Sequence, residues 1–163
     1  MELAVGNLDF DGDIQDLVER LMEVEPLSKI FDKVNYLEKL SFPDHVKVKR
    51  HGKYFVISPK RLLRANRSYV PKNGRLLILT SYPLTYSDEE NIGIGYAENH
   101  ASVVTNNFPL VKNLVIPIMV HEVGHTLKLK HGSADHWCVM YSHSRSFDLC
   151  GVCRKKLQYF IST

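Results

Sequence analysis

The eleven residues HEVGHTLKLKH, positions 121 to 131, leave the chain little freedom in how it folds around them. Two histidines four apart lie on one face of an α-helix about one turn apart, so His121 and His125 can aim their imidazoles at a single point. Glu122 then stands about 100° around the helix from His121, within reach of a water at that point without being forced to ligate. His131 would be carried roughly 9 Å along the axis, onto another face, if the helix simply continued. The helix is therefore predicted to end just after His125, and the chain to turn back and supply His131 from below. Zinc used for hydrolysis takes three protein ligands and keeps a fourth position for water. Glu122 is the last glutamate in the chain and only Asp135 and Asp148 follow as carboxylates, so His131 is the better third ligand.

Cys138, Cys150 and Cys153 are all crowded into the last quarter of the sequence. An odd number of thiols in a Cys-x-x-Cys arrangement favours a second metal over a disulfide framework. The opening stretch MELAVGNLDFDGD carries acids where a secretory signal would carry Lys or Arg, and the apolar run NLVIPIMV is too short to span a bilayer. The expectation is a cytoplasmic protein with no membrane association, monomeric, and built as one compact domain over 1–163. The composition supports this, since 163 residues with 44% hydrophobic and 24% charged content suffice for a real core. Charge is uneven around a net of +3: eleven of the eighteen acids fall at or before Asp44, and Lys47 to Arg75 holds ten basic residues and no acid. Such a stretch can meet nucleic acid, but no aromatic and glycine pattern of an RNA-binding module accompanies it. Solvated charges on a hairpin and short helix are the simpler reading.

Periodicity orders the rest. LAV at 3–5 reads as a buried strand, and Ile14, Leu17, Val18, Leu21 and Met22 place an amphipathic helix over about 13–25, stopped by Pro26. HVKVKR and KYFVISP form a hairpin around His51 and Gly52, with Ser58 capping and Pro59 opening a short helix to about Ala65. RLLILTS carries a continuous apolar run, Leu76 to Leu79, the mark of a central strand covered on both faces. IGIGYA and ASVVTNN are weaker strands separated by a turn, the second placed at a sheet edge. A long helix runs from Pro109 to about Lys128, kinked or begun near Pro117, and a closing helix packs Leu157, Phe160 and Ile161 inward. The fold class is α/β with α+β character: a mixed, mostly parallel sheet, a long helix bearing the histidines, and a metal-pinned C-terminal segment over about 131–163.

The motif HEVGHTLKLKH is similar to the metzincin pattern HExxHxxGxxH, and with Cys138-Val139-Met140 and Cys150-Gly-Val-Cys153 following it the stretch resembles an archaemetzincin. The match covers residues 121 to 153. It implies a zinc metallopeptidase with a catalytic zinc on His121, His125 and His131, a methionine, here Met140, in a turn beneath the metal, and a second, structural zinc. Two positions depart from the family. Lys128 stands where the family turns on Gly, and a lysine forced to positive φ costs roughly 1 to 2 kcal/mol unless the turn is relaid. Gly132 stands where the first structural cysteine would follow the third histidine, which leaves three thiolates for four positions. Because structural zinc accepts Cys₃His as readily as Cys₄, Cys138, Cys150 and Cys153 are completed by His136, with His143 in reserve.

The function expected is hydrolysis of a peptide or protein substrate, with Glu122 as general base and then general acid, an edge strand around Ala101 to Thr105 aligning an extended peptide, and aminopeptidase action as the family suggests. Two rivals remain. One is a three-histidine zinc endoribonuclease using the basic stretch, which would carry Gly at position 122 and lack the cysteines. The other is a non-catalytic module whose zinc site is structural or closed.

Overall fold

The apolar run Leu76 to Leu79 does become the middle of the molecule. The computed structural model describes residues 1–50, 54–85, 92–107, 113–131, 137–141, 146 and 148–161. Its main sheet has five strands: β1 (Glu2–Leu8), β2 (Lys33–Leu37), β5 (Gly74–Thr80), β8 (Gly95–Glu98) and β9 (Ala101–Thr105). They lie in the order β2-β1-β5-β9-β8. All neighbours are parallel except β8, which runs antiparallel to β9 at the border. Every residue of β5 is buried.

Alternation of side chains divides the core in two. Leu77 and Leu79 join Leu3, Val5 and Val104 on one face, whereas Leu76 and Ile78 join Ala4, Ala101 and Val103 on the other. The first face is covered by α1 (Ile14–Met22), α2 (Leu27–Ile30), α4 (Val115–Thr126) and α5 (Gly151–Ile161). The second is covered by α3 (Pro59–Ala65) and a small four-stranded sheet made of β3 (Lys47–Arg50), β4 (Tyr54–Ile57), β6 (Leu84–Thr85) and β7 (Ile92–Gly93). Each fully buried Leu or Ile stabilises the fold by about 1.5 to 3 kcal/mol relative to its exposed state, and β5 has four in a row, Leu76 to Leu79, all at 0% exposure.

The helices start where the chemistry allows. Asp13 caps α1, its carboxylate accepting from the amide of Asp16 at 3.1 Å. Ser58 occupies the position before α3 as expected, with Pro59 opening the helix, but its hydroxyl makes no capping bond. Pro117 settles the ambiguity in the long helix: α4 begins at Val115, which places the proline in the first turn, where its missing N–H would have no intrahelical partner. Residues 109–112, the earlier part of the expected helix, lie outside the described residues, as do His51 and Gly52 of the hairpin turn.

Two expectations are corrected. The strand Ala101–Thr105 is interior, wholly buried between β5 and β8, so the border of the sheet is β8. Pairing is decided by partners distant in sequence, which periodicity does not reveal. Ile161 is 40% exposed, while Leu157 is buried and Phe160 packs against the core: residues 157 and 161 share a helix face, but Ile161 lies one turn further along, where α5 runs past the core edge. Several charges of the basic stretch have local partners: Lys47 pairs with Asp44, Arg61 donates to the carbonyl of His45, and Arg64 lies 4.0 Å from Glu98. Among the described residues no helix is long and apolar enough to cross a membrane.

Candidate metal centres

Ten of the twelve residues of α4 are buried, and the helix packs across β8 and β9. His121 and His125, one turn apart, look out of this apolar surround. Beyond Thr126 the helix is closed by a Schellman turn: the amide of Leu129 donates to the carbonyl of Gly124 at 3.0 Å and that of Lys128 to His125 at 2.9 Å. Lys128 takes the left-handed conformation itself, with φ 64°. The turn is thus not relaid, and the lysine bears the strain. Lys128→Gly removes about 1 to 2 kcal/mol of steric cost and adds about 0.5 to 1 kcal/mol of backbone entropy loss. A net gain of about 0.5 to 1 kcal/mol is expected, read as a rise of about 1 to 4 °C in Tm; a fall would contradict the strain.

The reversal brings the third ring home. Nε2 of His131 lies 2.8 Å from Nε2 of His121 and 2.9 Å from that of His125, and the latter two are 3.0 Å apart. What each ring does with its other nitrogen decides the chemistry. Nδ1 of His121 contacts the carbonyl of Val139 at 2.7 Å, and Nδ1 of His125 contacts the carbonyl of Leu129 at 2.9 Å. A carbonyl only accepts, so both Nδ1 atoms carry the proton and both Nε2 lone pairs face the common point. Two bare lone pairs at 3.0 Å repel unless a cation lies between them. Burial, with the neighbouring rings adding to it, lowers the pKa of His121 to about 4, and burial also lowers that of His125. These rings are accordingly neutral at pH 7 and available as ligands. The set fits a zinc ion held by three imidazoles with a position left open.

Glu122 is 8% exposed, and burial raises its pKa to about 8. Its side chain lies against β8: a Cβ on Gly95 would stand 2.6 Å from Oε1 and 2.7 Å from Cγ. Beneath the helix, a Cβ on Gly124 would stand 2.6 Å from Sδ of Met140, which is fully buried. Gly124, the second variable position of the motif, therefore leaves the space that the methionine fills. Neither contact was found from the sequence. The signal available for Gly95 was a glycine inside a strand, which marks close approach of another group.

A second group forms from Cys138, Cys150 and Cys153, whose sulfurs lie within 4.8 Å of one another. Cys138 and Cys153 are 3.7 Å apart, close to the roughly 3.8 Å between two thiolates on a tetrahedral zinc with about 2.3 Å bonds. Burial, together with the other two thiols, pushes the pKa of Cys153 up to about 12, so its ionisation calls for a cation. His136 and His143, the sequence candidates for a fourth ligand, lie outside the described residues.

The whole chain aligns with the crystal structure of archaemetzincin from Methanopyrus kandleri at 28% identity, covering 100% of this chain and 96% of that one, with a TM-score of 0.75. Archaemetzincin from Archaeoglobus fulgidus, complexed with malonate, aligns at 24% identity over 96% of this chain and 99% of that one, TM-score 0.65. A zinc-dependent peptidase from Methanocorpusculum labreanum aligns at 16% identity over 95% and 99%, TM-score 0.67. These last two carry the fold alone. No family model and no curated protein sequence matches the chain.

Proposed function

We propose that the chain, which is similar over its whole length to an archaemetzincin, is a member of that family of metzincin zinc metallopeptidases, and that His121, His125 and His131 hold a catalytic zinc at which Glu122 drives peptide-bond hydrolysis. The observation that carries this reading is the convergence of three Nε2 atoms, two of them fixed as acceptors by Nδ1 bonds to the carbonyls of Val139 and Leu129. Zinc held there supplies Lewis acidity to a carbonyl oxygen and to water, and its charge lowers the pKa of the neighbouring Glu122 carboxyl. Glu122 takes the proton of the attacking water and later delivers it to the leaving amine. Its buried setting keeps the carboxylate from solvent and fixes its direction. An extended substrate is proposed to lie along β8, the strand that borders the site and touches Glu122 through Gly95, in place of the strand first expected. Cys138, Cys150 and Cys153 are proposed to hold a second, structural zinc, with His136 completing the set.

Aminopeptidase action is the finer reading. A panel of peptides with free and blocked N-termini, incubated with and without added zinc, tests it: zinc-dependent cleavage confined to free N-termini is expected, and equal cleavage of blocked peptides would make the enzyme an endopeptidase.

The Gly95 contact gives a separate test. Gly95→Ala puts a methyl group where the Glu122 side chain lies, and a displacement on the order of 1 Å in a catalytic group costs about 10²-fold in rate. A fall in kcat of about tenfold to a hundredfold is expected with zinc content unchanged. An unaltered kcat would mean that the carboxylate is not needed where it is.

A further inference from the structure

Beyond the C-terminal end of α4, along the edge of the sheet where the parallel strands begin, lies a groove of about 950 Å³. Its floor includes Arg75, the second residue of β5, which is 6% exposed. A guanidinium at that depth needs partners for its donors. Nε donates to the carbonyl of Thr126 at 2.9 Å, Nη1 donates to the carbonyl of Gly74 at 2.7 Å, and the group sits over the ring of Phe160 at 5.9 Å. These contacts use two of its nitrogens. Among the described residues Nη2 donates to none and no carboxylate pairs with Arg75; since no buried side-chain nitrogen or oxygen there is left without a partner, Nη2 opens onto the groove, while burial of the rest of the group lowers its pKa.

The rest of the lining does not supply the missing anion. Glu2 is engaged by Lys33 at 3.4 Å and by Asn35 at 3.1 Å, and Asp32 by the N-terminal ammonium at 3.2 Å. Lys72 and Lys128, which also line the groove, pair with no acid among the described residues. His100 lines it as well, and its pKa is lowered by burial and then by the charges of Arg75 and Lys128, which places three basic side chains in mutual electrostatic range. A guanidinium held in place through Nε and Nη1, with Nη2 left to face a concave surface flanked by unpaired ammonium groups, is an arrangement suited to a planar or tetrahedral oxyanion.

We propose that this groove binds a compact oxyanion, a phosphate or a carboxylate, with Arg75 as its anchor and Lys72 and Lys128 as flanking charges. The site is separate from the histidine cluster and does not depend on the peptidase reading. The test uses the zinc-loaded protein and NMR signals of the Arg75 side chain and the His100 ring, titrated with inorganic phosphate or acetate against sodium chloride at matched ionic strength. Saturable shifts of both signals are expected with at least one oxyanion and not with chloride. Preference for phosphate would identify a phosphorylated ligand, and equal or tighter acetate binding a carboxylate. Arg75→Lys would remove the fork but also a cap of α4, so the decisive variant is Lys72→Gln with Lys128→Asn, which keeps a residue that tolerates the left-handed turn. This pair should weaken binding by about tenfold or more, whereas Lys155→Gln with Lys156→Gln on α5 should leave it within about twofold. Linear shifts matching those of chloride, or equal losses in both double variants, would overturn the proposal.

Discussion

Glu122→Gln is expected to abolish most peptide hydrolysis, lowering kcat/KM by about 10²- to 10⁴-fold, the range supplied by a positioned general base. The substitution is nearly isosteric at a site that is 8% exposed, so packing against Gly95 persists. The three imidazoles are untouched, and metal analysis should show the same zinc content as the parent. That pairing of lost turnover with retained metal separates the peptidase from its rivals. A variant that hydrolyses peptides as fast as the parent would remove Glu122 from the mechanism. A parent that hydrolyses nothing while its binding to a partner or to RNA survives the substitution would favour a non-catalytic module or a nuclease.

The second large effect lies in the thiol group. Cys150→Ser with Cys153→Ser should reduce zinc from two to about one per chain and lower stability by several kcal/mol, because metal that binds the folded state alone adds about 4 kcal/mol when present at a thousand times its dissociation constant. For a chain of this length that is a fall in Tm of about 8 to 16 °C. Sulfur at Cys138 and Cys153 is buried, and α5 rests on the core mainly through Leu157 and Phe160, so little apolar surface compensates for the lost ligands. A parent whose zinc content is unchanged by the double substitution, or a double variant as stable as the parent, would leave the cysteines as ordinary thiols.

Much of the histidine centre was legible because helical periodicity is local. His121 and His125 share a face whatever the rest of the chain does, and a third ligand six residues on forces a reversal. The double-sided strand at residues 74 to 80 was legible for a similar reason, since an unbroken apolar run has only one comfortable place in a sheet. The identity of the border strand was not. Ala101–Thr105 and Gly95–Glu98 are both short, and which of them faces a neighbour on two sides depends on register with β5, twenty or more residues earlier. Of the small sheet the β3–β4 hairpin was legible, but β6 escaped notice and β7 was merged with β8 into one strand, because β6 and β7 have two residues each, too few for any alternation to register. Strain at Lys128 could be anticipated from the turn it must make, but only the backbone shows that the lysine adopts it.

Residues 138 to 140 do three jobs in succession. Cys138 gives its sulfur to the thiol group, Val139 gives its carbonyl to Nδ1 of His121, and Met140 fills the hollow left by Gly124. A tripeptide has no slack with which to isolate one of these contacts from the next. Whatever shifts the first sulfur must tilt the peptide plane behind it, and with that tilt goes the tautomer lock on the first histidine. The two clusters are therefore less like separate fixtures than like opposite ends of one short lever.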